Sequence, residues 1–340
     1  MTFKYNSVYI NEVSTVAGPY EAKGPLNKYY DYTYNDLYFN EKNWELAEIS
    51  MHKKCIEILL SKSKLKPSDI DILISGDLLN QIVSSNFTAL SISIPLIGIY
   101  AACSTSTLGL ILASNMIDSK QAKKIITSVS SHNCTSEKQF RQPVEYGGPK
   151  PKTATFTTTG AASALISSKK SKIKITSATI GTVVDLGIKD AFHMGAVMAP
   201  AAAKTIYNHL KSTNTTINDY DLILTGDLGK YGKDILKDYM KEEYQIELNN
   251  LDDSACMIYD INKQDVYAGG SGPACIPLVT YSYIFDKMKK GKLKKVLMVA
   301  TGALLSQTTV NEKQTIPAIS HAVTLEANIW YILMRLYFVE

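Results

Sequence analysis

Two segments of the chain repeat one pattern of hydrophobic and polar positions. Asp69–Leu78 reads DIDILISGDL and Asp219–Leu228 reads DYDLILTGDL, so the second lies 150 positions after the first, with five of ten positions identical. Each is a short apolar run closed by small and polar residues, which is typical of a buried β-strand. Trp44–Lys62 has apolar residues close to a 3.6-residue period, and Val197–Lys211 holds the same place before the second strand. The pattern predicts a helix, a short loop and a buried strand in each half.

Further pairs extend the repeat. Tyr100-Ala-Ala-Cys-Ser is matched by Tyr267-Ala-Gly-Gly-Ser, and Lys123–Val129 by Lys294–Val299. Repeated αβ units predict a sheet covered by helices, and a repeat of this length is far longer than the ~20–50 residues of solenoid repeats. We therefore predict an α/β protein made by internal duplication, with an N-terminal half at residues 1–170, a C-terminal half at 171–326 and an apolar tail of unknown role at 327–340.

Composition and charge exclude several classes of partner and site. Lysine and arginine number 36 against 32 acidic residues, but only Arg141 and Arg335 are arginines. Specific nucleic-acid recognition favours the guanidinium group, so no nucleic-acid partner is expected. The five cysteines form no CxxC pair and the five histidines show no metal-ligand spacing, so neither disulfides, a metal nor a cofactor is expected.

Targeting signals and membrane spans are not expected either. The first residues lack the apolar run of a signal peptide, and no stretch reaches the ~18 apolar residues of a spanning helix. We expect the chain to be made and kept in a reducing cytosol.

Cys103 is the strongest candidate for chemistry. It follows an apolar run at Leu96–Tyr100 and precedes a predicted helix from Ser104. This strand–turn–helix order is that of a nucleophile elbow, and a helix N-terminus would lower the thiol pKa and attract an anion. The alternative is a small buried cysteine without a chemical role, since free cysteine is among the most buried residue types. The local sequence leaves both interpretations open.

At this segment, and in its duplication, the chain resembles the thiolase superfamily, which includes the ketoacyl synthases. The blocks Thr157–Ser167 and Val296–Leu305 are also similar to that family. The resemblance implies a five-layered αβαβα thiolase-like fold with Cys103 at the position of the nucleophile. It also implies a histidine, with a second histidine or an asparagine, in the second half of a condensing enzyme. The loops after Leu224 and at Ala268 carry neither, so we expect a non-catalytic protein.

Three longer blocks resemble one thiolase-like family more closely, that of stage V sporulation protein AD. They are Phe140–Gly148, Ala191–Ala203 and Ile258–Gly272. The resemblance implies binding of pyridine-2,6-dicarboxylate (dipicolinic acid), free or as its calcium chelate, and a role in its uptake into the developing endospore. It further implies membrane proteins of the same spore transport complex as partners, a peripheral position at the spore inner membrane, and a homodimer.

A flat aromatic dianion needs N–H or guanidinium partners and an apolar slot for its ring. The helix N-terminus behind Cys103 and the glycine loop offer backbone donors. The expected ligand-binding residues are Cys103, Arg141, His193, Gly269, Gly270, Ser271, Gly272, Thr301 and Gly302.

Alternatives exist for several of these residues and for the function. His193 could instead cap the following helix, and Arg141 could form a structural ion pair. Asp77 and Asp227 follow the repeated strands, and this symmetry favours a structural turn role for both. The rival function is an acyl-transfer or condensing enzyme in which Cys103 is the nucleophile and His193 its base. A third is a purely structural partner of a membrane complex.

Overall fold

The computed structural model describes residues 1–141, the last without its side chain, and residues 150–328. Most of the predicted tail, residues 329–340, lies outside the described residues. The strands are β1 (Thr2–Ala17), β2 (Tyr32–Thr33), β3 (Ile72–Gly76), β4 (Leu96–Gly98), β5 (Lys124–Ser131), β6 (Phe156–Thr157), β7 (Gly160–Ser167), β8 (Ile173–Ile180), β9 (Leu222–Thr225), β10 (Leu251–Asp253), β11 (Gly270–Ser271), β12 (Lys295–Ala303) and β13 (Ala318–Ala327). The α-helices are α1 (Trp44–Ser63), α2 (Val83–Ile92), α3 (Thr105–Asp118), α4 (Asn133–Ser136), α5 (Met194–Thr213), α6 (Gly229–Tyr244), α7 (Ser254–Met257), α8 (Cys275–Val279), α9 (Phe285–Lys289) and α10 (Gln307–Asn311).

In the described part of the chain, the main sheet has eleven strands: two sets of five with the same topology, and the short β2, which pairs with β1. One set has the order β1-β7-β5-β3-β4 and the other β8-β13-β12-β9-β10. In each set the second strand is antiparallel to its two neighbours, and the last three strands are parallel to one another. Strands β1 and β8 pair antiparallel and join the two sets. The duplicated αβ topology expected from the sequence is therefore present.

Helices cover both sets of strands and also lie between them. Helices α1 and α2 pack on the first set, and α5 packs on the second with α6 against it. Helix α3 contacts strands of both sets, so it forms a central layer, to which α8 and α9 also contribute. These five layers, αβαβα, confirm the predicted fold class. The residue bounds 1–170 and 171–326 stay a prediction.

Equivalent residues build equivalent local structure in the two halves. Helices α1 and α5 begin 150 positions apart, have 20 residues each, and end at left-handed residues Lys64 and Asn214. In each half one carboxylate accepts the N–H groups of two consecutive lysines: Asp71 from Lys123 and Lys124, and Asp221 from Lys294 and Lys295. These bonds tie the start of one parallel strand to the next and bring the carboxyl ends of the strands to a common edge.

Candidate functional site

Cys103 lies in a tight turn between β4 and α3. The turn is a 3₁₀ segment, Ala102–Ser104, that leads directly into the helix. Ala102 has a φ of +48°, a left-handed conformation that is uncommon for a residue with a Cβ atom. The Thr105 hydroxyl accepts the N–H of Ala101 at 3.0 Å and donates to the carbonyl of Ala102 at 2.6 Å. The turn therefore holds the Cys103 side chain buried at the N-terminal end of α3.

The glycine loop of the second half reaches Cys103. The Ser271 hydroxyl is 3.8 Å from the Cys103 sulfur. Gly272 has a φ of +107°, and a Cβ atom there would lie 2.8 Å from the Ser131 hydroxyl. Gly302 on β12 packs so closely that its Cβ atom would lie 3.2 Å from the Cys103 nitrogen. Residues of both halves therefore meet at the thiol.

Asp227 lies behind Cys103 and the glycine loop that contacts it. It is fully buried, has a φ of +72°, and accepts the N–H of Gly272 at 2.7 Å. Burial and then the Asp253 carboxylate raise its pKa well above the ordinary range, although contact with the Cys103 thiol opposes part of this effect. Its other carboxylate oxygen, Oδ1, has no hydrogen-bond partner among the described residues.

The thiol of Cys103 is held in its neutral form. Burial, followed by the neighbouring Asp227 carboxylate, raises its pKa well above the ordinary value, and this outweighs the opposing contacts with Ser271 and Gly272. The helix N-terminus was expected to lower this pKa, so the sequence-based expectation is wrong on this point. A buried site beside a carboxyl group favours the uncharged thiol more than the helix dipole favours the thiolate. The raised pKa favours the protonated thiol, which is a weaker nucleophile than the thiolate.

A cavity of about 40 Å³ adjoins Cys103. Its described walls carry two aromatic rings, aliphatic side chains and hydroxyl groups, and none of the described lining residues is a histidine, lysine or arginine: Leu78, Tyr100, Ala102, Cys103, Ser136, Phe140, Thr157, Met194, Ser271, Ala303 and Leu305. The Ser136 hydroxyl is buried and has no hydrogen-bond partner among the described residues. A buried polar group without a partner is costly, so a ligand or water that bonds to Ser136 would be stabilised here.

A wider groove of about 580 Å³ lies outside this cavity. The groove and the cavity share four lining residues: Leu78, Tyr100, Phe140 and Leu305. Tyr100 is 47% exposed, which places it at the mouth of the cavity. The groove provides a route from solvent to the thiol.

The structure places the predicted site residues unequally. Ser271, Gly272 and Gly302 lie around Cys103, as described above. Gly269 has a φ of +122° and packs against the Ala255 carbonyl, and Gly270 packs near the Cys275 sulfur, so both shape the loop. Neither Gly269 nor Gly270 is among the described residues that line the cavity.

His193 and Thr301 are not among the described residues that line the cavity. The His193 ring accepts the N–H of Ala196 at 3.4 Å and caps α5, while the next residue, Met194, lines the cavity. The Thr301 hydroxyl donates to the Gly226 carbonyl and so braces the turn before Asp227. The side chain of Arg141 lies outside the described residues. The geometry therefore favours helix capping for His193 and a bracing role for Thr301.

Sequence reasoning missed Asp227 and Ser136. The repeat assigns Asp77 and Asp227 the same structural role, and Asp77 has that role because it accepts N–H groups of Leu79 and Ser85 in its own loop. Asp227 differs because its bond goes to the glycine loop. Ser136 follows β5, and its position after the carboxyl end of a parallel strand was a usable signal.

The described part of the chain shows neither a cluster of metal ligands nor a helix suited to cross a membrane. No group of three or more histidine, cysteine or acidic residues there could hold a metal ion. Among the helices that the structure describes, none combines the length and apolar character needed to cross a bilayer.

Comparison with solved structures shows the thiolase fold. Human mitochondrial 3-ketoacyl-CoA thiolase matches with a TM-score of 0.59 at 11% identity, covering 95% of this chain and 99% of the other. OleA of Xanthomonas campestris matches with a TM-score of 0.59 at 10% identity, covering 95% and 99%. The 3-oxoacyl-(acyl-carrier-protein) synthase III of Aquifex aeolicus matches with a TM-score of 0.54 at 14% identity, covering 96% and 100%. Identities this low establish the fold alone.

Comparison of sequences gives the family. The family model described as stage V sporulation protein AD (SpoVAD) matches residues 1–326. Stage V sporulation protein AD of Bacillus subtilis is 48% identical over 319 residues, which cover 94% of each chain. Both matches agree with the resemblance seen in the sequence blocks. The chain belongs to the stage V sporulation protein AD family, within the thiolase fold.

Proposed function

We propose that this chain binds dipicolinic acid in the cavity beside Cys103, without catalysing a reaction, and so supports uptake of the ligand into the developing endospore. Family membership supports the biological setting. The observation that carries the proposal is the buried, unpartnered hydroxyl of Ser136 in a cavity with aromatic walls. A pocket that is mostly apolar, with a few convergent polar groups, is the usual form of a small-molecule site.

The walls of the cavity suit the polarity of this ligand. The rings of Tyr100 and Phe140 offer apolar surface to a flat pyridine ring, and the hydroxyls of Ser136, Thr157 and Ser271 offer donors to its carboxylates. The inner cavity is small, so the ligand would extend past Tyr100 into the wider groove. No described lining side chain is a cation, so the calcium chelate, in which the metal offsets the two carboxylates, suits these walls better than the free dianion.

The absence of a reaction is supported by the state of the thiol. The pKa of Cys103 is raised, and no described residue lining the cavity is a histidine that could act as its base. The similar enzymes share the fold at 14% identity or less. We therefore favour ligand binding over condensing chemistry as the function of this chain.

Calorimetric titration with dipicolinate, with calcium and with a chelator, tests the proposal. Saturable binding should weaken about tenfold in Ser136→Ala, because one hydrogen bond to a charged group is lost. Cys103→Ala should also weaken binding, whereas Cys256→Ala, outside the cavity lining, serves as the matched control. Unchanged affinity in Ser136→Ala, or no saturable heat at millimolar ligand, contradicts the proposal.

Mass spectrometry tests the rival enzyme function. After incubation with acyl-CoA, the proposal expects no mass increase on Cys103. A stable acyl adduct on Cys103 that is absent in Cys103→Ala would favour the condensing-enzyme alternative.

We also propose that two copies form a homodimer through the edge strand β4. Strand β4 ends one side of the main sheet, and the exposed apolar side chains Phe87, Leu90 and Ile97 lie on or beside it. An unpaired edge with apolar neighbours is a ready pairing surface. Sedimentation should show a dimer that Ile97→Lys converts to a monomer. A wild-type monomer at micromolar concentration would contradict this.

A peripheral association with membrane proteins of the spore transport complex completes the proposed role. Its support is membership of the stage V sporulation protein AD family. Membranes from sporulating cells should retain the protein and release it when those membrane proteins are deleted. Recovery of the protein in the supernatant of wild-type cells would contradict the association.

A further inference from the structure

A second groove lies at the opposite end of the sheet from Cys103. It has a volume of about 420 Å³ and is lined by the start of β5 and β8, the end of β7 and the last turns of α1 and α9. Strand β5 begins in this groove at Lys124, and its other end, Ser131, lies against Gly272 at the first site. The eight residues of β5 separate the two places. The groove is therefore independent of the cavity beside Cys103.

Positive charge is concentrated in this groove. Glu12 is the one acidic residue among its described lining residues, and six lysines line it: Lys62, Lys124, Lys169, Lys170, Lys172 and Lys289. Lys62 is already paired, at 3.5 Å to Glu12 and 2.8 Å to Asp31. Within the described part of the chain, the other five ammonium groups have no ion-pair partner within 4.0 Å. The chain as a whole carries a net charge of only +4, so this cluster is a local excess.

The ammonium groups of the lysines in this groove repel one another. The walls of the groove lower the pKa of Lys289 by desolvation, and the nearby Lys62 and Lys172 ammonium groups lower it further, against the raising effects of Glu12 and Asp31. The Ser63 hydroxyl, which also lines the groove, has no hydrogen-bond partner among the described residues. Mutual repulsion in a concave site is relieved when an anion binds between the charges.

We propose that this groove is a binding site for an anion that carries phosphate groups. A phosphate group brings up to two negative charges and three acceptor oxygens, and lysine binds it as a flexible point charge. Several unpaired ammonium groups around one concave surface match such a ligand better than a lone carboxylate. The same chemistry is offered by a soluble phosphate compound and by the headgroup of an anionic phospholipid.

Two ligands distinguish these sources on the full-length protein. Calorimetry with inorganic pyrophosphate measures binding of the soluble form, and flotation with vesicles of phosphatidylglycerol, compared with phosphatidylcholine, measures binding of the headgroup. The test variant is Lys170→Gln with Lys289→Gln, because both side chains line the groove and neither has an ion-pair partner among the described residues. The matched control, Lys204→Gln with Lys237→Gln, removes two exposed lysines from helices of the second half.

We expect saturable binding that weakens at least about tenfold in the test variant and less than about twofold in the control, since each charge-assisted bond contributes roughly a factor of ten. Pyrophosphate binding without flotation identifies a soluble ligand, and flotation only with phosphatidylglycerol identifies the lipid headgroup; either result supports the site. No binding of either probe, or equal loss in both variants, overturns it. Unchanged melting temperatures ensure that a loss reports the site rather than the fold.

Discussion

Replacing Gly302 with alanine tests the close packing of β12 against the turn that carries Cys103. The new Cβ atom would lie 2.5 Å from the Ala101 carbonyl oxygen and 3.2 Å from the Ala102 Cβ atom, whereas ordinary contact begins at 3.4 Å. The strand and the turn must therefore separate by about 0.9 Å. The nearest atom belongs to the backbone, so a rotamer change cannot relieve the contact.

The expected cost of this substitution is about 1–3 kcal/mol of unfolding free energy, the range for overpacking a well-packed interior. For 340 residues, an unfolding entropy of about 2.1 cal/mol/K per residue converts each kcal/mol into a melting shift of about 1.4 °C. Gly302→Ala should therefore lower the melting temperature by about 1.5–4 °C. Since the displaced turn carries Cys103, the affinity for dipicolinate should fall in the same variant.

Differential scanning calorimetry measures the shift, and Gly109→Ala supplies a matched control. Gly109 lies within α3, where a Cβ atom would meet its nearest neighbours at 3.5 Å or more. The same substitution there should be neutral or should stabilise by up to about 1 kcal/mol, since alanine favours a helix more than glycine does. A Gly302→Ala variant as stable as wild type would refute the packing argument. Equal losses in both variants would show that the loss does not arise from the contact with the turn.

Three further predictions follow from the buried ionisable groups. Burial raises the pKa of Glu21 from 4.5 to about 7, so the folded state retains a proton that the unfolded state releases, and this one group should lower stability by about 2–3 kcal/mol between about pH 5 and pH 8. In urea titrations at the two pH values, Glu21→Gln should lack this contribution, so its change in stability between them should be about 2–3 kcal/mol more favourable than the wild-type change; an equal pH dependence of the two proteins would contradict the prediction. Iodoacetamide at neutral pH should modify Cys103 much more slowly than free cysteine, as followed by peptide mass spectrometry, and rapid labelling would disprove a raised pKa. Asp227→Asn removes the adjacent carboxylate, so the pH at which Cys103 becomes reactive should decrease; an unchanged pH profile would show that burial alone sets this pKa.

The fold could be predicted from the sequence because its main determinants are local and occur twice. The strand pattern at Asp69–Leu78 and Asp219–Leu228 locates β3 and β9, and the helices before them begin 150 positions apart. The turn at Cys103 was also predictable. An apolar strand, a few small residues and the start of a helix follow one another there, and this order is compatible with few other local structures.

Much of the site could not be predicted because it depends on side-chain directions and distant contacts. The φ of +72° at Asp227 directs its side chain to the glycine loop, and nothing in the repeated Gly-Asp pair distinguishes it from Asp77. The pKa of Cys103 depends on burial by elements far apart in the chain. Sequence spacing shows the helix N-terminus but not the carboxyl group behind the thiol.

The different contacts of Asp77 and Asp227 have a consequence for how such a site can evolve. In a symmetric dimer of identical half-size chains, every substitution appears twice and the two copies cannot acquire separate tasks. Once the halves are joined in one chain, each strand-end aspartate mutates alone. Asp77 holds its own loop together, while Asp227 binds the glycine loop that lies against Cys103 of the other half. A single chain with two different halves can therefore carry one specialised site in place of two equal ones.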